Sequence, residues 1–275
     1  MKFKQSIRLM AATAAVAATA LAPVAAQAEQ FINILTGGTS GVYYPLGVAM
    51  GKIYAEKIPG VRTQVQSTKA SVENLNLLQA GRGEIALALG DSVGFAWEGN
   101  AELGFPKKLD KLRGIAAVYP NVIQIVASQA SGIKTLSDLK GKSLSVGAAK
   151  SGTEVNARTI FAAAGMSYKD LGKTEYLPFG ESVELIKNRQ LDATLQSAGL
   201  GVSSIRDLAS SVPINVVSVP TALAAKLGPP YVAATIPANT YSGQTADVPT
   251  VAVSNFLITH AGVPDEVVYL SLIHI

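Results

Sequence analysis

Two short, glycine-bordered turns carry the polar groups best suited to chemistry in this sequence: Thr36-Gly-Gly-Thr-Ser-Gly41 and Ala148-Ala-Lys-Ser-Gly152. Each stands between an apolar run of strand character and an amphipathic run of helix character. A helix that starts from such a turn leaves its first backbone N–H groups without internal acceptors, and its dipole adds partial positive charge at the same end. Together these make a device for holding an anion. Thr39, Ser40, Ser151 and Thr153 add hydroxyl donors there. Ser, Thr and Gly also favour helix starts for capping alone, so either turn by itself reads first as a plain cap. Two matched turns read as a binding device.

Other side chains stand near these turns. Tyr43 and Tyr44 offer a wall and a phenol donor, or else one packs in the core and one lies on the surface. Asp91, at the end of the third apolar run, can take a ligand ammonium, order the first turn, or sit solvated in a loop. Gln196 holds the comparable place in the second half as an amide donor and acceptor. Tyr119 lines the cleft or packs the hinge. Familiar catalytic patterns fail. Gly81-Arg-Gly-Glu-Ile-Ala86 fits G-x-G-x-x-A but follows a helix and enters a strand, the reverse of a dinucleotide turn. Gly141-Lys142-Ser143 resembles the end of a phosphate loop, yet Leu136 stands where its first glycine must be. The sequence has two histidines, His260 and His274, no cluster with metal spacing and no G-x-S-x-G elbow. The expectation is a binding protein, not an enzyme, with no metal or cofactor.

The elements that must position these groups come in a repeated order. Residues 31–35, 61–68 and 84–89 read as strands, with helices after the first turn and over 71–79. Residues 143–147, 174–179 and 191–196 repeat the strands, and 153–164 and 182–188 the helices. Ser40-Gly41 precedes Ser151-Gly152 by 111 positions, and Ser71-Val-Glu73 precedes Ser182-Val-Glu184 by the same 111. Arg82 and Ala86 match Arg189 and Ala193 at a separation of 107. Strands alternating with helices predict parallel sheets covered on both faces. Ligands of open α/β sheets sit beyond the carboxyl ends of the strands, where both turns lie. The long apolar stretch 112–128, broken at Tyr119-Pro120, carries the chain from one sheet to the other, and 214–219 carries it back, which makes a hinge.

Bulk properties fit this reading. Lys2, Lys4 and Arg8 precede an Ala-rich apolar run that closes at Ala26-Gln27-Ala28, the order of a secretory leader covering residues 1–28. The formal charge of +4 comes mostly from that leader, which holds three of the 23 basic residues and none of the 19 acidic ones. The remainder is close to neutral and offers no field for nucleic acid. Cysteine is absent, which excludes disulfides and attachment through a lipidated cysteine.

Four motifs carry a family resemblance: Thr36-Gly-Gly-Thr-Ser-Gly-Val-Tyr-Tyr-Pro45, Ser71-Val-Glu-Asn-Leu75, Ser151-Gly-Thr-Glu-Val-Asn-Ala-Arg158 and Val248-Pro-Thr-Val-Ala-Val253. Together they resemble the TAXI group of TRAP transporter substrate-binding receptors from Phe31 to Tyr269. The resemblance implies an α/β, two-lobed periplasmic binding protein fold of the type II kind, with two crossing segments at the hinge. The expected bounds are 29–117 for lobe 1, 118–217 for lobe 2 and 218–275 for the return to lobe 1. It implies a TRAP membrane permease as partner and a small carboxylate-bearing ligand, glutamate or a relative. Thr39, Ser40, Tyr43, Asn74, Asp91, Ser151, Gly152 and Thr153 fall on motif positions that would face the cleft. One departure is Thr68-Lys69-Ala70, where the family has a Gly-rich turn; Lys69 either brings a cation to the ligand or points away. The other is the end, Leu270-Ser-Leu-Ile-His-Ile275, where the family continues with helix. That hexapeptide is what a sequencing-adapter string encodes, so the expectation is a chain cut short with 270–275 foreign to it. The expected role is a periplasmic transport receptor; a ligand-sensing adaptor for a membrane signalling protein would use the same fold.

Overall fold

The computed structural model describes residues 30–275, so the leader expected over residues 1–28 lies outside the described residues. The first lobe opens with β1 (Gln30–Leu35), α1 (Tyr43–Lys57), β2 (Val61–Gln66), α2 (Ser71–Gln79) and β3 (Ile85–Leu89). Helix α3 (Gly90–Glu98) follows β3 directly, in a segment that the sequence reading ends as a loop at residue 92. A long strand, β4 (Leu112–Ser128), leads to the second lobe. There β5 (Ser143–Ser145), α4 (Gly152–Ala163), β6 (Lys173–Glu175), α5 (Phe179–Lys187) and β7 (Ala193–Ala198) repeat the first order. The chain closes with α6 (Ser203–Ser211), β8 (Ile214–Val217), α7 (Leu223–Leu227), β9 (Tyr231–Ile236), β10 (Val248–His260) and α8 (Asp265–His274).

Hydrogen bonding makes the duplication concrete. The order β2-β1-β3 in one half is matched by β6-β5-β7 in the other, and all four of these neighbour pairs are parallel. Two antiparallel strands stitch the halves together. The start of β4 pairs with β10, while Val122–Ala127 pairs with β7 in the second lobe. That end of β4 is buried throughout, as an apolar strand covered on both faces must be.

The outward crossing expected over 112–128 coincides with β4. The return does not run where expected. Residues 214–217 form β8, which stays in the second lobe and pairs with Ile125–Ser128 of β4. The return is made by β10, whose first half pairs with β9 and whose Asn255–Thr259 pairs with β3. The reason is length: at about 3.3 Å per residue a four-residue strand cannot span both lobes, and the 13 residues of β10 can. Phe179, expected at the end of a strand, starts α5 instead.

The cores of the two lobes meet. Leu89, at the end of β3, packs with Ile123, Leu144 and Ile160 of the second lobe. Val155 of α4 packs with Leu35, Val72 and Leu75 of the first. The lobes are therefore closed on each other.

Helix α1 lies close to its sheet because Gly47 and Gly51, one turn apart, face it. A Cβ at Gly47 would collide with Thr36 Cγ2 and reach Val65 at 3.3 Å. Thr36 cannot yield freely, because its Oγ1 donates to Gln66 O at 2.7 Å and so holds the first turn. A Cβ at Gly51 would meet nothing nearer than 3.3 Å. Gly47→Ala should therefore cost about 1–2 kcal/mol net, overpacking exceeding the gain in helix propensity. Gly51→Ala should be near neutral. Denaturant unfolding of both variants measures the difference, and equal effects would contradict the close approach.

Candidate functional site

Between the lobes lies a cavity of about 180 Å³ at the carboxyl ends of the strands. The turn 37–43 and the segment 67–71 form its first-lobe wall, and Ala148, Ser151, Gly152, Thr153, Pro178 and Phe179 its second-lobe wall. Tyr119 and Asn121 of the crossing strand β4 form its back, beside Ser197 and Ala198 of β7. Four helices begin at these walls: α1, α2, α4 and α5. Their first-turn N–H groups and dipole ends converge on one space. Among the lining residues Lys69 is the one charged side chain.

Local bonding fixes each wall. Ser151 is the N-cap of α4, its Oγ accepting from Glu154 N at 3.1 Å. In the first lobe Gly41 N donates to Gly38 O at 3.0 Å, and Ser67 Oγ donates to Gly37 O at 2.9 Å. Ala70 takes φ 72° as the N-cap of α2, the left-handed region that favours glycine. This is the turn where the sequence has Thr68-Lys69-Ala70 in place of glycines; it keeps the conformation at a cost of order 1 kcal/mol or more. Ala70 N donates to Thr68 Oγ1 at 2.9 Å, which supports the strained residue.

Of the residues singled out in the sequence, Ser40, Tyr43, Tyr119, Ser151, Gly152 and Thr153 line the cavity. Five others do not. Thr39 is exposed at the turn's outer side, and Tyr44, one residue round α1 from Tyr43, is half-buried away from the cavity. Asn74 is fully buried as a clasp: its Nδ2 donates to Thr36 O at 2.7 Å and Leu87 O at 2.9 Å, and its Oδ1 lies 2.7 Å from Thr68 Oγ1. Gln196 is also fully buried, its Oε1 accepting from Ser204 Oγ at 2.6 Å. Sequence reasoning missed Ser67, Thr68, Ser71, Asn121, Phe179 and Ser197, and left Lys69 open. Ser71 carried a signal, since it opens one of the repeated tripeptides. Asn121 carried a weaker one, a polar residue inside an apolar crossing. Tyr43 turns its phenol to the hinge, donating to Asn255 Oδ1, while Asn255 Nδ2 donates to Tyr119 O at 3.0 Å. Burial pushes both Tyr43 and Tyr119 well above the usual phenol range, so both remain neutral donors.

Asp91 binds protein, and across the cleft. Its Oδ2 accepts from Tyr231 Oη and Asn156 Nδ2 of the second lobe, each at 2.6 Å, and its Oδ1 from Ser92 N at 2.7 Å. Burial raises its pKa from 3.8 to about 6 despite these donors. A carboxyl whose pKa rises on folding contributes stability below its ordinary pKa, and that contribution is lost as pH rises through the folded value. The unmodified chain should therefore lose thermal stability relative to Asp91→Asn as pH rises from about 4 to about 6. Melting curves of both across that range measure it; a pH-independent difference would show that Asp91 does not titrate there.

Comparison with known proteins agrees with this geometry. The binding protein of an ABC phosphonate transporter from Pseudomonas aeruginosa superposes with a TM-score of 0.54 at 11% identity, over 86% of this chain and 71% of that one. A histidine-bound ABC uptake transporter substrate binding protein from Streptococcus pneumoniae gives 0.52 at 14% identity, over 89% and 85%. The periplasmic aliphatic sulphonate binding protein SsuA from Escherichia coli gives 0.48 at 15%, over 84% of this chain, which spans 62% of that protein's length. At such identities the likeness to the first two shows the fold: two-lobed, of the type II periplasmic binding protein kind, with a mixed sheet and two crossing strands. The NMT1-like family matches residues 34–272, from the first strand through both lobes to the last helix, and the chain belongs to that family.

Proposed function

We propose that this protein is an extracytoplasmic solute receptor that encloses a small organic anion between its lobes and delivers it to a membrane transporter. The observation that carries this is the meeting of four helix starts, two from each lobe, on one enclosed cavity whose lining has a lysine and no carboxylate. Backbone N–H groups at helix starts suit an acid group. Neither lobe supplies the full set alone, so a ligand held by both favours the closed form over the open one. The leader read at the N-terminus and the periplasmic proteins that share the fold support a site outside the cytoplasm. The motif resemblance makes a TRAP-type permease of the TAXI group the proposed partner. A role in binding and not in catalysis is supported by the lining residues, which among the described residues include serines but no histidine or acid to activate them.

Gly152 gives the sharpest test of enclosure. A Cβ there would lie 2.5 Å from Ser71 Oγ and 2.6 Å from Leu89 Cδ1, both on the opposite lobe. Gly152→Ala should wedge the cleft, weakening binding by about tenfold or more, equal to about 1.4 kcal/mol, with little change in the stability of either lobe. Ligand is first identified by native mass spectrometry of the protein as purified, then titrated calorimetrically into both forms. Equal affinity in the two forms would remove enclosure from the mechanism. If no small molecule is released, and a panel of organic acids and amino acids gives no thermal shift, the receptor reading fails.

A further inference from the structure

The cavity's polar groups are unevenly matched, and the mismatch bears on what it holds. Asn121 is 2% exposed and lines the back of the cavity. Its Nδ2 donates to Ser197 O at 3.0 Å, which fixes the amide's orientation. Among the described residues its Oδ1 has no partner, and neither has the nearby Tyr119 Oη. A buried acceptor without a donor is costly, so an oxygen fixed in this way marks the place of a ligand donor. The acid group of a ligand has the helix starts and Lys69. An ammonium has nothing comparable. Glu154, beside the lining Thr153, is spent on Arg158, and Asp91, two residues past the lining Leu89, on Tyr231, Asn156 and Ser92; neither is part of the lining. Glu73 accepts from Lys69 N at 2.6 Å and does not line the cavity either. A cation in the cavity would therefore meet partial positive charge from four directions and no carboxylate in the lining to pair with.

We propose that the cleft selects small organic anions that carry a neutral hydrogen-bond donor, a hydroxyl or an N–H, for Asn121 Oδ1, and discriminates against the corresponding amino acids. This rests on the receptor reading and sharpens it. It sets aside glutamate, which the motif resemblance implies, because glutamate's ammonium would be left without a carboxylate. Asn121 is then the specificity-determining residue, accepting from the ligand's donor while Ser197 O holds its amide in place.

Matched pairs that differ in one group test this directly. Calorimetric titration of the unmodified chain compares L-malate with L-aspartate, (S)-2-hydroxyglutarate with L-glutamate, and isethionate with taurine. In every pair that binds, the hydroxy member should be tighter by about tenfold or more; an amino member that binds equally or better overturns the proposal. Asn121→Asp, which puts a carboxylate where the neutral oxygen stood, should narrow or reverse the preference, an effect that loss of packing alone would not produce. A variant that folds, binds and keeps the original preference also overturns the proposal. If Asn121→Asp does not fold, the pairs on the unmodified chain still decide. Mass spectrometry of the molecule released on denaturation separates the two levels. An acid without an ammonium supports the proposal. An amino acid refutes it and leaves the receptor standing. No released molecule together with no binding in any pair defeats both.

Discussion

The arrangement depends on the direction of the strands. In each lobe three parallel strands end at the cleft, so the helices that follow must start there, and their positive ends are brought face to face. Among the described residues no carboxylate lines the space between them. Closing the lobes without a ligand gathers four such ends in a poorly solvated cavity, while closing them on an anion turns the same charges into contacts. Each helix end contributes about 0.3–1 kcal/mol, so the four together supply a few kcal/mol at most. Moving a 1:99 population to 99:1 takes about 5.5 kcal/mol. The remainder has to come from side chains, which places weight on Lys69, on the serine hydroxyls and on the orphaned oxygens at the back of the cavity.

Keeping acid groups out of the cavity has a structural counterpart. The carboxylate that stands at the end of β3 is used between the lobes, where Asp91 binds Asn156 and Tyr231. Asn156 also donates to Tyr231 Oη at 2.8 Å and accepts from Ser197 Oγ at 2.6 Å, and Ser197 lines the cavity. A short chain of hydrogen bonds thus runs from the cavity wall to the contact that holds the lobes together. Such a buried network is stable only when every member is satisfied. Separating the lobes would strip Asp91 of both second-lobe donors, so the closed arrangement and the satisfied network stand or fall together.

Much of this was legible in the sequence because it follows from short-range rules. The repeat at 111 positions, the turns at Ser40 and Ser151 and the outward crossing at 112–128 all depend on periodicity and on residues adjacent in the chain. What was not legible depends on partners far away. Asn74 and Asp91 sit on motif positions and near strand ends, which suggests a ligand, yet besides one local bond each their partners are carbonyls and donors 13 to 140 positions distant. No local pattern distinguishes a polar residue that binds a ligand from one that binds the fold. Helix α3 was hidden because Gly90, directly after the third strand, reads as a turn residue, although the helix packs on β10. The return was placed at 214–219, a segment as β-branched and apolar as β10 but too short to span both lobes. Ala70 needed the backbone to settle it, since only its φ shows that the turn keeps a glycine-like path without glycine.

The two turns, alike in sequence, are held differently. Ser151 caps its own helix, while Lys150 O of the same turn accepts from Glu73 N of the first lobe at 3.2 Å. Helix α1 has no side-chain cap; the start of its preceding turn is held within the lobe by Gln66, Ser67 and Asn74, and the tip at Ser40 and Gly41 by a bond within the loop and by contacts from across the cleft. Ser203 Oγ donates to Ser40 O at 3.0 Å, and the ring of Phe179 lies against Gly41. These contacts exist only while the lobes are together. Each turn is thus anchored in its own lobe and gains one backbone carbonyl bond from the other on closure, at Lys150 in the second lobe and at Ser40 in the first. What differs is the helix start itself: that of α4 is capped before the lobes meet, whereas the uncapped start of α1 leaves its N–H groups free for a ligand.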